Sequence, residues 1–223
     1  MRSALATITF CAAAGFAIAG SDDKQGFTYI DLQPKANQKL NDSFHGDPEG
    51  NNLAELPRGE QTMAKVKFKI GDGLIQLAST LLKDKPAKVE GIVVDRKLKK
   101  LHFLHATGFG GGSPDDAIHV KDDTPIGAYI VHYDDKTTEK IPIVYGQHVR
   151  DWWDYDRSKE TPRSRLAWQG SNEAAKRLKC QLLLYCTSWD NPHADKRVVA
   201  IDYQSTNDTP AAPFCIAITA QVK

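Results

Sequence analysis

From residue 27 to residue 221 the chain is a succession of short runs rich in Val, Ile, Tyr and Phe, bounded by Gly, Pro, Asn and Asp. No stretch sustains the periodicity of an amphipathic helix. The runs fall at residues 27–32, 64–70, 74–78, 89–95, 100–107, 126–133, 139–145, 165–169, 178–188, 197–204 and 214–221. Many short strands joined by polar turns bury their apolar faces most simply as two packed sheets, so the sequence predicts an all-β fold, an antiparallel β-sandwich of jelly-roll type. Short helices fit only around residues 77–83 or 172–178. The stretch 33–62 is poor in apolar residues and rich in Asn, Gly, Asp and Pro. It is too long for an ordinary connection and reads either as a loop wrapping the sandwich or as a locally disordered segment.

The first 19 residues have a different character. Arg2 supplies a positive start, an uncharged run of small and apolar residues follows, and Ala17-Ile18-Ala19 forms a cleavage signature before polar Ser21-Asp22-Asp23. Residues 1–19 therefore read as a signal peptide and residues 20–223 as one exported domain, periplasmic or extracellular. The run is too short and too weakened by Thr7 and Thr9 for a membrane span, so no membrane insertion is expected after cleavage. Cys11 follows bulky Phe10, which argues against lipid anchoring.

Loss of Arg2 with the leader leaves 28 basic and 28 acidic residues. A neutral chain lacks the basic surplus that draws nucleic acid, and Arg96 to Lys100 reads as a solvated turn. Three cysteines remain, Cys180, Cys186 and Cys215. The first two sit on one strand about 20 Å apart and cannot bond to each other. Cys215 lies on the face opposite Phe214, and no disulfide is expected.

Strand parity then suggests where a site would form. If each strand carries the chain from one end of the sandwich to the other, the turn at Asp134-Asp135-Lys136 marks one end, and loops 108–125, 146–163 and 189–196 meet at the other. Those loops hold Gly108-Phe109-Gly110-Gly111-Gly112, Arg150 to Arg157 with its Asp151-Trp152-Trp153 core, and Trp189 to His193. A sugar presents an apolar face and a rim of hydroxyls, which suits an aromatic platform edged by polar groups. Trp152 and Trp153 are the candidate platform, one inward and one outward by alternation, with Arg150, Asp151, His148 and Asn191 as polar contacts. The structural alternative is that the tryptophans plug the core and that an Arg-Asp pair braces a loop.

Catalytic and metal signatures are weaker. No nucleophile with its base is legible, so no catalytic residue is assigned, although Asp151 and Asp154 form a candidate carboxylate pair. His102 and His105 face opposite ways on a strand, His119, His132, His148 and His193 lack ligand spacing, and no metal ligands are assigned. Asp115, Asp116, Asp122 and Asp123 form an oxygen-rich set of the kind calcium takes in loops, but acidic turns are ordinarily just solvated. The Gly-rich loop lacks the Lys and helix start of a phosphate cradle.

Several segments together carry a resemblance: residues 101–107, Gly127-Ala128-Tyr129 to Asp134, Ile141 to Gly146, Asp151-Trp152-Trp153, Ala167 to Gly170, Trp189 to Pro192, and Pro213 to Thr219. They resemble a group of secreted bacterial proteins of uncharacterised activity with a galactose-binding-like jelly-roll domain, related to carbohydrate-binding modules attached to glycosidases. The resemblance covers the chain from about residue 27 onward. Lys136 departs from it, since the group commonly has Gly there; such modules usually accompany a catalytic or membrane-anchored partner domain, which is not expected within this sequence. The resemblance implies a structural calcium whose ligands it does not map, and otherwise no cofactor. The resulting expectation is a non-catalytic extracytoplasmic carbohydrate-binding domain with a polysaccharide or glycan partner. The alternative is an envelope protein-interaction or structural domain without a sugar ligand.

Overall fold

The computed structural model describes residues 26–45, 49–154 and 160–222. The leader, and the Tyr155-Asp156-Arg157 part of the aromatic loop, lie outside the described residues. The strands are β1 (Phe27–Ile30), β2 (Gln38–Lys39), β3 (Gly59–Met63), β4 (Val66–Ile70), β5 (Gly73–Gln76), β6 (Lys88–Lys97) and β7 (Lys100–Gly108). They continue with β8 (Pro125–Tyr133), β9 (Thr138–Val144), β10 (Ser164–Gly170), β11 (Leu182–Asp190), β12 (Arg197–Ser205) and β13 (Ala212–Gln221). A short helix α1 (Glu173–Leu178) follows Asn172, whose side chain accepts from the Ala175 backbone N–H at 2.7 Å and so caps it. Residues 77–83 form no helix.

The fold is an all-β sandwich. One sheet runs β10-β11-β7-β13-β5-β2, with β1 also paired to β13, and the second runs β6-β12-β8-β9. Every strand pair is antiparallel. Aromatic rings hold the sheets together: Phe103 on β7 stacks on Tyr129 of β8 at 4.0 Å, and Tyr129 on Tyr203 of β12 at 4.6 Å. The His105 ring joins them, with Nε2 2.8 Å from the Thr187 hydroxyl and Nδ1 3.2 Å from the Tyr129 hydroxyl. Burial lowers the His105 pKa to about 3, so this core histidine is neutral.

The other face of the larger sheet is buried as well, which is why β7 and β13 are apolar almost throughout. The stretch 33–62 covers it. Its few large apolar residues, Leu40, Phe44, Leu53 and Leu56, are all buried there beside Phe68 and Phe214. Of the two readings of this stretch, the described part matches the wrapping layer. Among the described residues Cys180, Cys186 and Cys215 form no disulfide, and Cys186 and Cys215 are buried in the core. Among the described residues no helix is long and apolar enough to cross a membrane.

At the tight turn after β8, Lys136 takes a left-handed backbone (φ 71°), which strains a side-chain-bearing residue and explains why glycine suits this position.

The parity expectation needs correction. Val144, ending β9, lies beside Pro125 of β8, and Gly170, ending β10, lies beside Leu182 of β11, so β9 and β10 run toward the same end. The segment between them turns back instead of crossing: Arg163 N–H donates to the Gln147 carbonyl at 3.0 Å. Every later connection therefore changes ends. Loops 109–124 and 145–163 share one end with residues 171–181 and 206–211. Loop 191–196 sits at the opposite end with turn 134–137, where Asp134 N–H donates to the Arg197 carbonyl.

Candidate functional site

The end that gathers loops 109–124 and 145–163 contains a cavity of about 370 Å³. Its floor is built by three residues wedged between β7 and β11. Asp151 bridges Thr107 in parallel, Trp153 bridges Leu182 in antiparallel fashion, and the Trp152 backbone donates to Thr107 O at 2.8 Å and accepts from Leu183 N–H at 2.7 Å. These bonds complete the backbone pairing where the two strands splay apart, so the segment is held as firmly as a strand.

This wedge separates the two tryptophans. Trp152 is 2% exposed and packs edge-on to Phe44 (5.3 Å) and Phe214 (5.9 Å) under the wrapping layer. It is a core residue, and its place in the expected platform is corrected. Trp153 does line the cavity, but it is 6% exposed and its indole N–H donates to Asn51 at 3.1 Å. Both rings are therefore mostly inward, against the expectation that alternation would leave one outward.

Of the expected polar contacts, Arg150 and Asp151 line the cavity and His148 and Asn191 do not. His148 is buried in the turn after β9, where Nδ1 accepts from the Val144 N–H at 3.1 Å, and burial lowers its pKa. Asn191 is at the other end of the sandwich. It accepts from the Tyr133 hydroxyl at 2.6 Å and donates to the Leu98 carbonyl at 2.9 Å. The Trp189 to Lys196 loop thus closes the core and contributes nothing to the cavity.

Arg150 braces the mouth. Its guanidinium makes two 2.9 Å bonds to the Asp122 carboxylate and lies 5.7 Å from the centre of the Tyr145 ring. The Gly-rich loop packs closely on the same ring: a side chain at Gly110 (φ 121°) would approach Tyr145 to 2.5 Å. Asp151 is buried at the base, accepting from Gly111 N–H at 3.1 Å and from Trp153 N–H at 3.0 Å. Loss of hydration outweighs those two bonds and raises its pKa to about 7, so near neutrality it is divided between carboxylic acid and carboxylate.

Tyr145 and Tyr185 were not among the expected site residues, yet both line the cavity. Tyr185 on β11 shares the inward face with Thr187, whose hydroxyl meets His105. The Tyr185 side chain is 5% exposed, burial raises its pKa, and its hydroxyl has no hydrogen-bond partner among the described residues.

The acidic residues of the Gly-rich loop do not converge. Asp116 accepts from Ser113 N–H at 2.6 Å, Asp122 holds Arg150, and Asp123 accepts from the Gln147 amide. Among the described residues no three His, Cys, Asp or Glu side chains are grouped to hold a metal ion. Asp154 lines the cavity with Asp151, which gives the carboxylate pair a common setting. Comparison of the chain with protein-family models, with curated proteins and with solved structures returns no match. What fold and site define together is an all-β sandwich with a polar, aromatic-walled cavity at one end.

Proposed function

We propose that this chain is a non-catalytic, extracytoplasmic carbohydrate-binding domain of galactose-binding-like jelly-roll type, with the cavity as its binding site. The observation that carries the reading is the cavity itself, walled by Tyr145, Tyr185 and Trp153 beside the polar side chains of Arg150, Asp151 and Asp154. A volume of about 370 Å³ is within the range of small-molecule pockets. Aromatic surface beside Arg150, Asp151 and Asp154 offers what a sugar ring needs: C–H contact on one side and hydrogen-bond partners at the edge. The site is thus moved from a tryptophan platform to a recess whose aromatic walls are Tyr145, Tyr185 and Trp153.

A glycan array with the purified chain, followed by titration of any hit against Tyr185→Phe, tests the reading. Binding by the wild type and an affinity lowered on the order of tenfold in the variant, the scale of one hydrogen bond to a buried group, supports it. A well-folded wild type that binds no glycan overturns it.

Glycoside hydrolysis gains one specific observation, the shared setting of Asp151 and Asp154 with Asp151 able to carry a proton near neutrality. Release of reducing ends from a bound glycan would replace the non-catalytic reading with this one. A protein-interaction domain would present a broad apolar patch. The exposed large apolar residues among those described are Leu81 between β5 and β6, Val93 on β6, Leu166 on β10 and Leu178 ending α1.

A further inference from the structure

One wall of the cavity is built differently from the rest. It is the Gly-rich loop between β7 and β8, whose Gly111, Gly112, Ser113, Asp116 and Ile118 line the recess. Both stems of this loop are fixed. The Gly110 carbonyl accepts from the Val120 N–H at 3.0 Å, Gly110 and His119 pair as an isolated bridge, and Asp122 just beyond is held by Arg150. Between the stems the chain leaves the body of the sandwich, and residues 112–117 are exposed.

The projecting part is tied to itself. Ser113 N–H donates to the Asp116 carboxylate at 2.6 Å, Asp116 N–H donates to the Ser113 carbonyl at 2.9 Å, and His119 N–H donates to the Asp116 carbonyl at 2.9 Å. Two glycines stand at its base. Gly110 (φ 121°) and Gly112 (φ 86°) take backbone angles that residues with a side chain rarely adopt, and a methyl group at Gly112 would lie 2.5 Å from the Asp116 carboxylate. The residue between them is bonded to the floor of the cavity. Gly111 N–H donates to Asp151 Oδ2 at 3.1 Å, while Asp151 Oδ1 accepts from the Trp153 N–H at 3.0 Å, so one carboxyl spans from wedge to loop. The wedge has its own anchors, the Trp152 backbone bonds to Thr107 and Leu183.

We propose that residues 111–118 are a hinged flap over the cavity, latched shut by the Asp151 carboxyl and opened about Gly110 and Gly112 to admit ligand. The gating role rests on the reading of the cavity as the binding site. Opening breaks the bond to Gly111 and leaves the bonds within the flap and at its stems intact, so it is a local event.

Residue-resolved amide hydrogen exchange of the full chain tests this. In the wild type, Gly111 should exchange at least on the order of tenfold faster than Val120, because the flap opens without its stem. Asp151→Ala should speed exchange at Gly111 by a further factor on the order of ten, the scale of one hydrogen bond, with Ser113, Asp116, His119 and Val120 unchanged. Asp151→Asn keeps one acceptor oxygen and should give a smaller increase, which serves if the alanine variant misfolds. Saturation with a glycan hit should slow Gly111 below its wild-type rate. Equal exchange of Gly111 and Val120 in the wild type, or acceleration of the whole loop together in the variant, overturns the flap. A fast Gly111 that bound glycan does not slow overturns the gating role. A chain that binds no glycan overturns the carbohydrate reading alone, and the exchange rates still decide the latch.

Discussion

The two ends of the sandwich carry similar residue types and treat them differently. At the end with turn 134–137, the Tyr133 hydroxyl reaches Asn191, Asn191 reaches Leu98, His193 lies 3.3 Å from Glu139, and Lys196 pairs with Asp135 at 2.7 Å. The polar groups named there meet one another, and the end is closed. At the opposite end, tyrosine, aspartate and arginine surround a hollow at whose base one buried carboxyl resists ionisation. Aromatic rings beside polar groups are therefore not in themselves a binding signature. The distinguishing property is whether the polar groups are satisfied within the chain.

The largest test of this contrast concerns the wedge beneath the cavity. Because Trp152 fills the second core against Phe44 and Phe214, Trp152→Ala should cost about 3–5 kcal/mol of stability, read from denaturant unfolding. A ligand-facing tryptophan would lose binding with little loss of stability, so that outcome would return Trp152 to the platform.

Asp151 comes next. Its pKa is raised in the folded chain, so between about pH 4 and 7 the unfolded chain releases a proton that the folded chain keeps. Its contribution makes stability fall as pH rises through that window, by up to about 1.4 kcal/mol per pH unit. Asp151→Asn should flatten the slope in unfolding curves taken across the window, and an unchanged slope would mean that Asp151 is already hydrated and ionised.

At the closed end, Asn191→Ala removes the acceptor for the buried Tyr133 hydroxyl and should cost about 1–3 kcal/mol without altering any glycan affinity. A loss of affinity at constant stability would bring that end back into the site. The smallest effect is expected at the turn itself. Lys136→Gly relieves a left-handed backbone (φ 71°), and since glycine also loosens the unfolded chain, the net gain should be within about 1 kcal/mol, seen as a small rise in melting temperature.

How much of this was legible follows from what each signal depends on. The strand runs and their faces are local, so the sandwich, the opposite faces of Phe214 and Cys215 and the short helix after Asn172 could be read from the sequence. The placement of Arg150 and Asp151 beside the Gly-rich loop followed from strand parity, which holds as far as β9. Other features depend on how distant segments close. One turn-back between β9 and β10 reversed the parity of every later loop and carried Asn191 away from the site. The wrapping layer over the larger sheet gave Trp152 something to pack against, which no local pattern announces. Tyr145 and Tyr185 read as ordinary core aromatics at inward strand positions, and only the gap left beside them by the Gly-rich loop makes them cavity walls.

The central claim, that the open end binds and the closed end does not, is tested most directly by amide and side-chain NMR of the ¹⁵N-labelled chain titrated with a glycan hit. The account predicts shifts concentrated at Gly110, Gly111, Tyr145, Asp151 and Tyr185, with Tyr133, Asn191 and Lys196 unmoved. Shifts centred on residues 191–196, or saturable binding that leaves the cavity residues unmoved, would contradict it.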